Sequence, residues 1–140
     1  MERWVVYAFC SMFFAGATAV LAKAGLAGIS SELGLVVRTL MVAAFVVLFG
    51  LWAVDPAEAK ALTSLNLLWL GLSALATAAS WVFYYKALKD GDVATVALID
   101  KGSVVVAIVL AWLLLGEPLS SRTVAGTALI VAGLLVLLRR

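Results

Sequence analysis

Histidine is absent from this 140-residue sequence, and cysteine occurs once, at Cys10. The first absence removes the commonest metal ligand and the usual near-neutral proton shuttle. The second excludes an internal disulfide framework. The two prolines, Pro56 and Pro118, both fall in short connections between apolar runs. Charge is sparse as well, at 13% of residues, and a net charge of +2 is too small to suggest a nucleic-acid partner. No nucleophile–base pair and no metal-ligand cluster emerges from the sequence, so no enzyme activity, cofactor or metal site is expected. What remains is apolar. Hydrophobic residues make up 66% of the chain and the mean hydropathy is +1.18, beyond what a soluble domain of this length can carry. The expected solvent is the lipid bilayer.

Five apolar segments, each of roughly 20 residues, have the length needed to cross the hydrocarbon core. They lie near Trp4–Leu26, Gly34–Val54, Leu65–Leu88, Val93–Leu115 and Thr123–Leu138. No signal-peptide cleavage pattern follows the first, which is expected to remain as a helix. Asp55-Pro56-Ala57-Glu58 has the form of a helix start, with Asp as cap, Pro in the first turn and Glu three residues after the cap. Lys89-Asp90-Gly91-Asp92 reads as a tight turn, and Gly116-Glu117-Pro118 as the end of the fourth helix. Trp4, Trp52 and Trp69 lie near segment ends, where indoles anchor in the interface. The fold class expected is an all-α membrane protein, residues 1–140 forming one five-helix transmembrane domain in the cell's inner (plasma) membrane.

Five crossings put the termini on opposite sides. Arg3, Lys60 and Arg122 then fall on the N-terminal side, and Lys23, Arg38, Lys86, Lys89, Arg139 and Arg140 on or toward the other. Leaving out Lys23, Arg38 and Lys86, which lie within or at the ends of apolar segments, the two sides balance. The positive-inside signal is weak, and insertion in both orientations is compatible with it. Asp100 lies eight residues past Asp92, about 12 Å deep at 1.5 Å per residue. Charges at such depth are costly unless paired or hydrated, and they usually mark a pathway. These groups share one half of the membrane, which points to a common polar cavity. Simpler roles stand beside this one. Lys23, Arg38 and Lys86 can snorkel to the interface, and Asp100 and Lys101 can pin helix packing as structural ions. Neighbours on a helix point about 100° apart, so Asp100 and Lys101 pair less easily than residues four apart; Arg38 is the alternative partner for Asp100.

The third segment supplies a matching wall. Ser73, Thr77, Ser80, Trp81 and Tyr84 follow helical spacing and share one face. Hydrogen bonding between packed helices would use such hydroxyls. A face that also offers an indole and a phenol suits an organic solute held by stacking and hydrogen bonds. Ser103, just past the Asp100-Lys101 pair, completes the candidate substrate contacts. Gly126 and Gly133, seven apart on the last segment, provide a face where a second helix can approach closely, within the chain or from another copy.

Several stretches, taken together, resemble the EamA-type branch of the drug/metabolite transporter superfamily, and in particular its short five-helix bacterial and archaeal members. They are Phe14-Ala15-Gly16, Lys23-Ala24-Gly25-Leu26, Arg38-Thr39, the run from Ser80 to Leu88 with its Tyr84-Tyr85 pair, Gly91-Asp92, Ile99-Asp100-Lys101-Gly102-Ser103 and Leu115-Gly116-Glu117. The last segment, Gly126 to Gly133, is similar to the dimerisation helix of the small multidrug resistance branch, with Leu134 where that pattern often has Val. The resemblance implies a secondary transporter exporting small metabolites or drug-like compounds by proton-coupled alternating access. It adds Tyr85 to the substrate contacts, and makes Asp100, Lys101, Arg38 and Lys23 the charge-coupling set. Ten-helix members hold two five-helix repeats inserted in opposite directions, and this chain has one. An antiparallel homodimer, joined in part through Gly126 and Gly133, is the expected way to build the same cavity. A lipid flippase and a non-transporting accessory subunit are the rival readings.

Overall fold

The computed structural model describes residues 2–138, and every regular element among them is helical. Six α-helices follow the chain: α1 (Arg3–Gly25), α2 (Ser31–Ala53), α3 (Ser64–Asp90), α4 (Val93–Asp100), α5 (Ser103–Leu110) and α6 (Ser121–Leu138). Four stretches are long and apolar enough to cross a membrane: α1, α2, α3 and the run Val93–Leu115. The fifth segment, α6, is apolar but shorter, at 18 residues. Large apolar side chains face outward along most of these helices; Trp52 is 84% exposed and Phe45 70%. An outward surface of this kind is stable only against lipid. Trp4, Trp52 and Trp69 are all exposed, as interfacial anchors require. Arg139 and Arg140 lie outside the described residues.

The helix starts are fixed by short polar side chains that satisfy backbone donors left over at a helix end. Ser30 Oγ accepts from Leu33 N–H, Asp92 Oδ2 from Thr95 N–H, and Ser120 Oγ from Thr123 N–H. The Asp55 motif departs from its expected role. Its carboxylate accepts from Ala57 N–H at 2.8 Å, but the turn it opens is a single 3₁₀ turn, Glu58–Ala61. Two residues later Thr63 starts α3, its Oγ1 accepting from Asn66 N–H. The helical turn after Asp55 stops because Leu62 adopts an extended backbone.

The chain divides into two compact units, Met1–Ala19 with Gly91–Arg140, and Val20–Asp90, so that α1 contributes to both. In the second of these, α2 and α3 pack antiparallel, and the closing end is tied by two lysines. Lys23 Nζ donates to Leu88 O at 2.5 Å and to Lys89 O at 3.1 Å, while Lys89 Nζ donates to Leu26 O and Ile29 O at 3.0 and 2.7 Å. Lys23 thus satisfies the last carbonyls of α3, where the helix dipole also favours a cation, and Lys89 satisfies carbonyls of the turn that follows α1. Leu26 and Leu88 beneath them are fully buried.

In the other unit the fourth segment is not one uniform helix. Gly102 N–H donates to Ile99 O, Val104 N–H to Lys101 O and Val105 N–H to Gly102 O. These three-residue steps overwind the chain between α4 and α5. A Cβ at Gly102 would meet Ile99 O at 3.0 Å and Leu134 Cδ1 of α6 at 3.1 Å, so the absent side chain lets α6 sit against the break. Farther on, Ala111–Leu115 widens into a π turn, and Gly116, at φ +67°, closes it by donating to Ala111 O. Gly supplies that left-handed backbone without strain.

Candidate functional site

The sequence leaves a guanidinium, Arg38, seven residues inside α2, about 10 Å from the helix start at 1.5 Å per residue. Its carbon lies 4.6 Å from the centre of the Trp81 ring and 5.9 Å from that of Tyr85. Both aromatics come from α3, four residues apart and so on one face. Tyr85 is 3% exposed and Trp81 half-buried. Within this unit, among the described residues, no carboxylate lies within ion-pair reach of Arg38, whose charge is balanced only by ring faces. A cation over an aromatic face gains about 0.5–2 kcal/mol, and its N–H groups remain available. Asp100 was the expected counterion; the ion pair that the structure gives Asp100 is with Lys101.

That pair is in the other unit, where Lys101 Nζ lies 3.8 Å from Asp100 Oδ2. Neighbours on a helix pair less easily than residues four apart, yet these two side chains reach each other. Both side chains keep substantial exposure, 54% for Lys101 and 37% for Asp100. Ser103 opens α5 immediately after the break and is exposed.

Along α3, the polar stripe is present as spaced. Thr77 Oγ1 donates to Ser73 O at 2.9 Å, which ties its proton to the helix backbone and leaves oxygen lone pairs outward. Ser73, Thr77 and Trp81 line an α2–α3 groove of about 670 Å³, together with Thr39 of α2 and a mostly aliphatic remainder. Ser80 is exposed and Tyr84 half-buried. At 100° per residue, Ser73, Ser80 and Tyr84 fall about 60–100° to one side of Trp81, and Ala78, Val82 and Lys86 about 60–140° to the other.

The structure therefore brings together Arg38, Trp81 and Tyr85, with Thr77 beside Trp81 in the groove and Ser80 and Tyr84 on the adjoining face of α3. Lys23 sits at the tied end of the same unit. Asp100, Lys101 and Ser103 form their own cluster in the other. Among the described residues outside their own helix backbone, none has an atom within 4 Å of where a Cβ at Gly126 or Gly133 would stand, so both positions face open space. Two residues at the groove were not among the candidate site residues read from the sequence. Thr39 follows Arg38 directly, and its position one residue on from a cation inside an apolar run was a usable signal. Glu32, which pairs with Lys86 at 3.7 Å, was signalled by a carboxylate in the first turn of α2 at the same membrane level as Lys86.

Compared with known families, residues 2–139 match the EamA-like transporter family. The chain is also 42% identical, over 97% of its length and 96% of the other's, to a Sinorhizobium protein named "Uncharacterized transporter in cobO 3'region". No solved structure matches it.

Proposed function

The chain belongs to the EamA-like transporter family and is a multi-pass membrane transporter; from this premise we propose that it exports small amphipathic metabolites or drug-like compounds bearing an anionic group. The observation that carries the proposal is Arg38, a guanidinium held inside a membrane-spanning helix by ring faces alone. Such a group is retained where a ligand completes its hydrogen bonding. The anionic end of the cargo meets Arg38, its apolar body lies against Trp81, Tyr84 and Tyr85, and Thr77 and Ser80 offer hydroxyls. Lys23 adds positive potential at the tied end. Ser103 contributes a further cargo contact, and Asp100 with Lys101 carries the proton-coupling charge.

The transporter works by alternating access as an antiparallel homodimer in the plasma membrane. Open faces at Gly126 and Gly133 support the dimer, since small residues without internal packing admit a second helix. A C-terminal reporter is expected on both sides of the membrane; one found on a single side removes the antiparallel arrangement. For the cargo, purified full-length protein is screened by thermal shift against matched pairs of compounds, each a carboxylate or phosphate and its neutral amide or ester. Anionic members are expected to raise Tm and the neutral partners to do so far less. Equal shifts within pairs, or shifts only by cationic compounds, overturn the assignment.

A further inference from the structure

The α2–α3 groove continues into a second recess that the transport reading does not use. The groove runs past Leu35, Val36, Val42 and Ala43 of α2, and its wall is almost wholly aliphatic on the side of Ala78 and Val82. At one end a smaller hollow of about 220 Å³ shares Leu35, Val36 and Val82 with it and is completed by Ser31, Glu32 and Lys86. There Lys86 Nζ lies 3.7 Å from Glu32 Oε1, with both side chains more than half exposed. Ser31 Oγ donates to the other carboxylate oxygen of Glu32 at 2.9 Å, which fixes the direction of that side chain.

Length and charge together identify what fits. From Leu35 to Ala43 the groove follows α2 for about 12 Å at 1.5 Å per residue. One leaflet accounts for about half of the roughly 30 Å hydrocarbon core. The trough is therefore about one leaflet long, and it ends in one positive and one negative group at the first turn of a membrane-spanning helix. A purely apolar occupant would leave that pair unused, and an anionic amphiphile would meet Lys86 but be repelled by Glu32.

We propose that this groove holds a resident zwitterionic phospholipid of the phosphatidylethanolamine type. Its acyl chain lies along Val36, Val42, Ala43, Ala78 and Val82, its phosphate accepts from Lys86, and its ammonium donates to Glu32. A primary ammonium has three donors; a trimethylated choline headgroup has none, so ethanolamine is favoured over choline as well as over glycerol. The lipid is a fixed component on the Ala78 and Val82 side of the groove, whose Thr77 and Trp81 the cargo meets from the Tyr84 side.

Native mass spectrometry of the delipidated full-length chain tests this, with equimolar dioleoyl phosphatidylethanolamine, phosphatidylcholine and phosphatidylglycerol added. The wild type is expected to retain one ethanolamine lipid per chain at least fivefold over either competitor. Glu32→Gln and Lys86→Met, both at exposed positions, are expected to bring that ratio close to one while far-ultraviolet circular dichroism stays unchanged. Ala78→Phe, which fills the groove, is expected to lose the lipid altogether. Equal retention of the three lipids by the wild type overturns the proposal. So does an ethanolamine preference that survives both headgroup variants, or an Ala78→Phe chain that keeps its lipid but loses a dimer, since a second copy then covers the groove. Cargo does not enter this readout, and the result stands apart from the transport assignment.

Discussion

Arg38→Ala is expected to weaken cargo affinity roughly tenfold to a hundredfold, measured as the apparent Km of uptake into proteoliposomes. The size follows from the bond removed. A hydrogen bond to a charged group contributes about 1.5–3 kcal/mol, and every 1.4 kcal/mol is about a factor of ten in affinity. Stability should change much less, because Arg38 makes no ion pair within its unit, among the described residues, and its loss leaves no buried carboxylate exposed. Arg38→Lys retains the charge but not the planar group that lies over Trp81 and Tyr85, so an intermediate loss is expected. Trp81→Ala removes the ring that holds the guanidinium and should reproduce much of the Arg38→Ala effect. Normal Km in both alanine variants would leave Arg38 as a packing element of the α2–α3 pair and nothing more.

The second large effect is expected at the overwound turn. Asp100→Asn and Lys101→Ala should each reduce flux driven by an imposed pH gradient at least tenfold, with little change in Tm. The separation of the two readouts rests on exposure. An ion pair with side chains 37% and 54% exposed at 3.8 Å contributes only about 0–1 kcal/mol to stability. A structural role at this site is therefore too weak to explain a large loss of transport. Counterflow of cargo without a gradient tests coupling separately: a variant that exchanges cargo but ignores the pH gradient has lost the proton step alone. If both variants follow the gradient as the wild type does, coupling resides elsewhere.

The apolar runs were enough to locate the helices, because each is long, and bounded by residues that cap or break. The face of α3 was equally legible, since spacing alone decides which of its residues share a side. Features that depend on two distant segments were not. The lysine ties illustrate the difficulty: Lys23 and Lys89 reach backbone carbonyls, which every residue has, so no partner residue type could announce them. Glu32 passed unnoticed because its meaning comes from Lys86, more than fifty positions away, once α2 and α3 lie antiparallel. The break at Gly102 was hidden by composition. Ile99 to Val105 carries the same apolar flanks as a continuous span, and only the backbone hydrogen bonds reveal the overwinding. For Arg38, the position inside an apolar run was visible in sequence, and its aromatic cradle only in the fold.

The central claim, that cargo occupies the Trp81 and Tyr84 face of α3 beside Arg38, is tested most directly by chemical protection. Ser80 is exposed on that face, and Cys10 is the chain's one cysteine, so a Cys10→Ser, Ser80→Cys chain carries a single reporter thiol. In proteoliposomes, a water-soluble maleimide should modify that thiol, and an anionic compound identified by thermal shift should slow the modification at least fivefold, with the slowing lost when Arg38→Ala is added. Modification at the same rate with and without the compound would contradict the account.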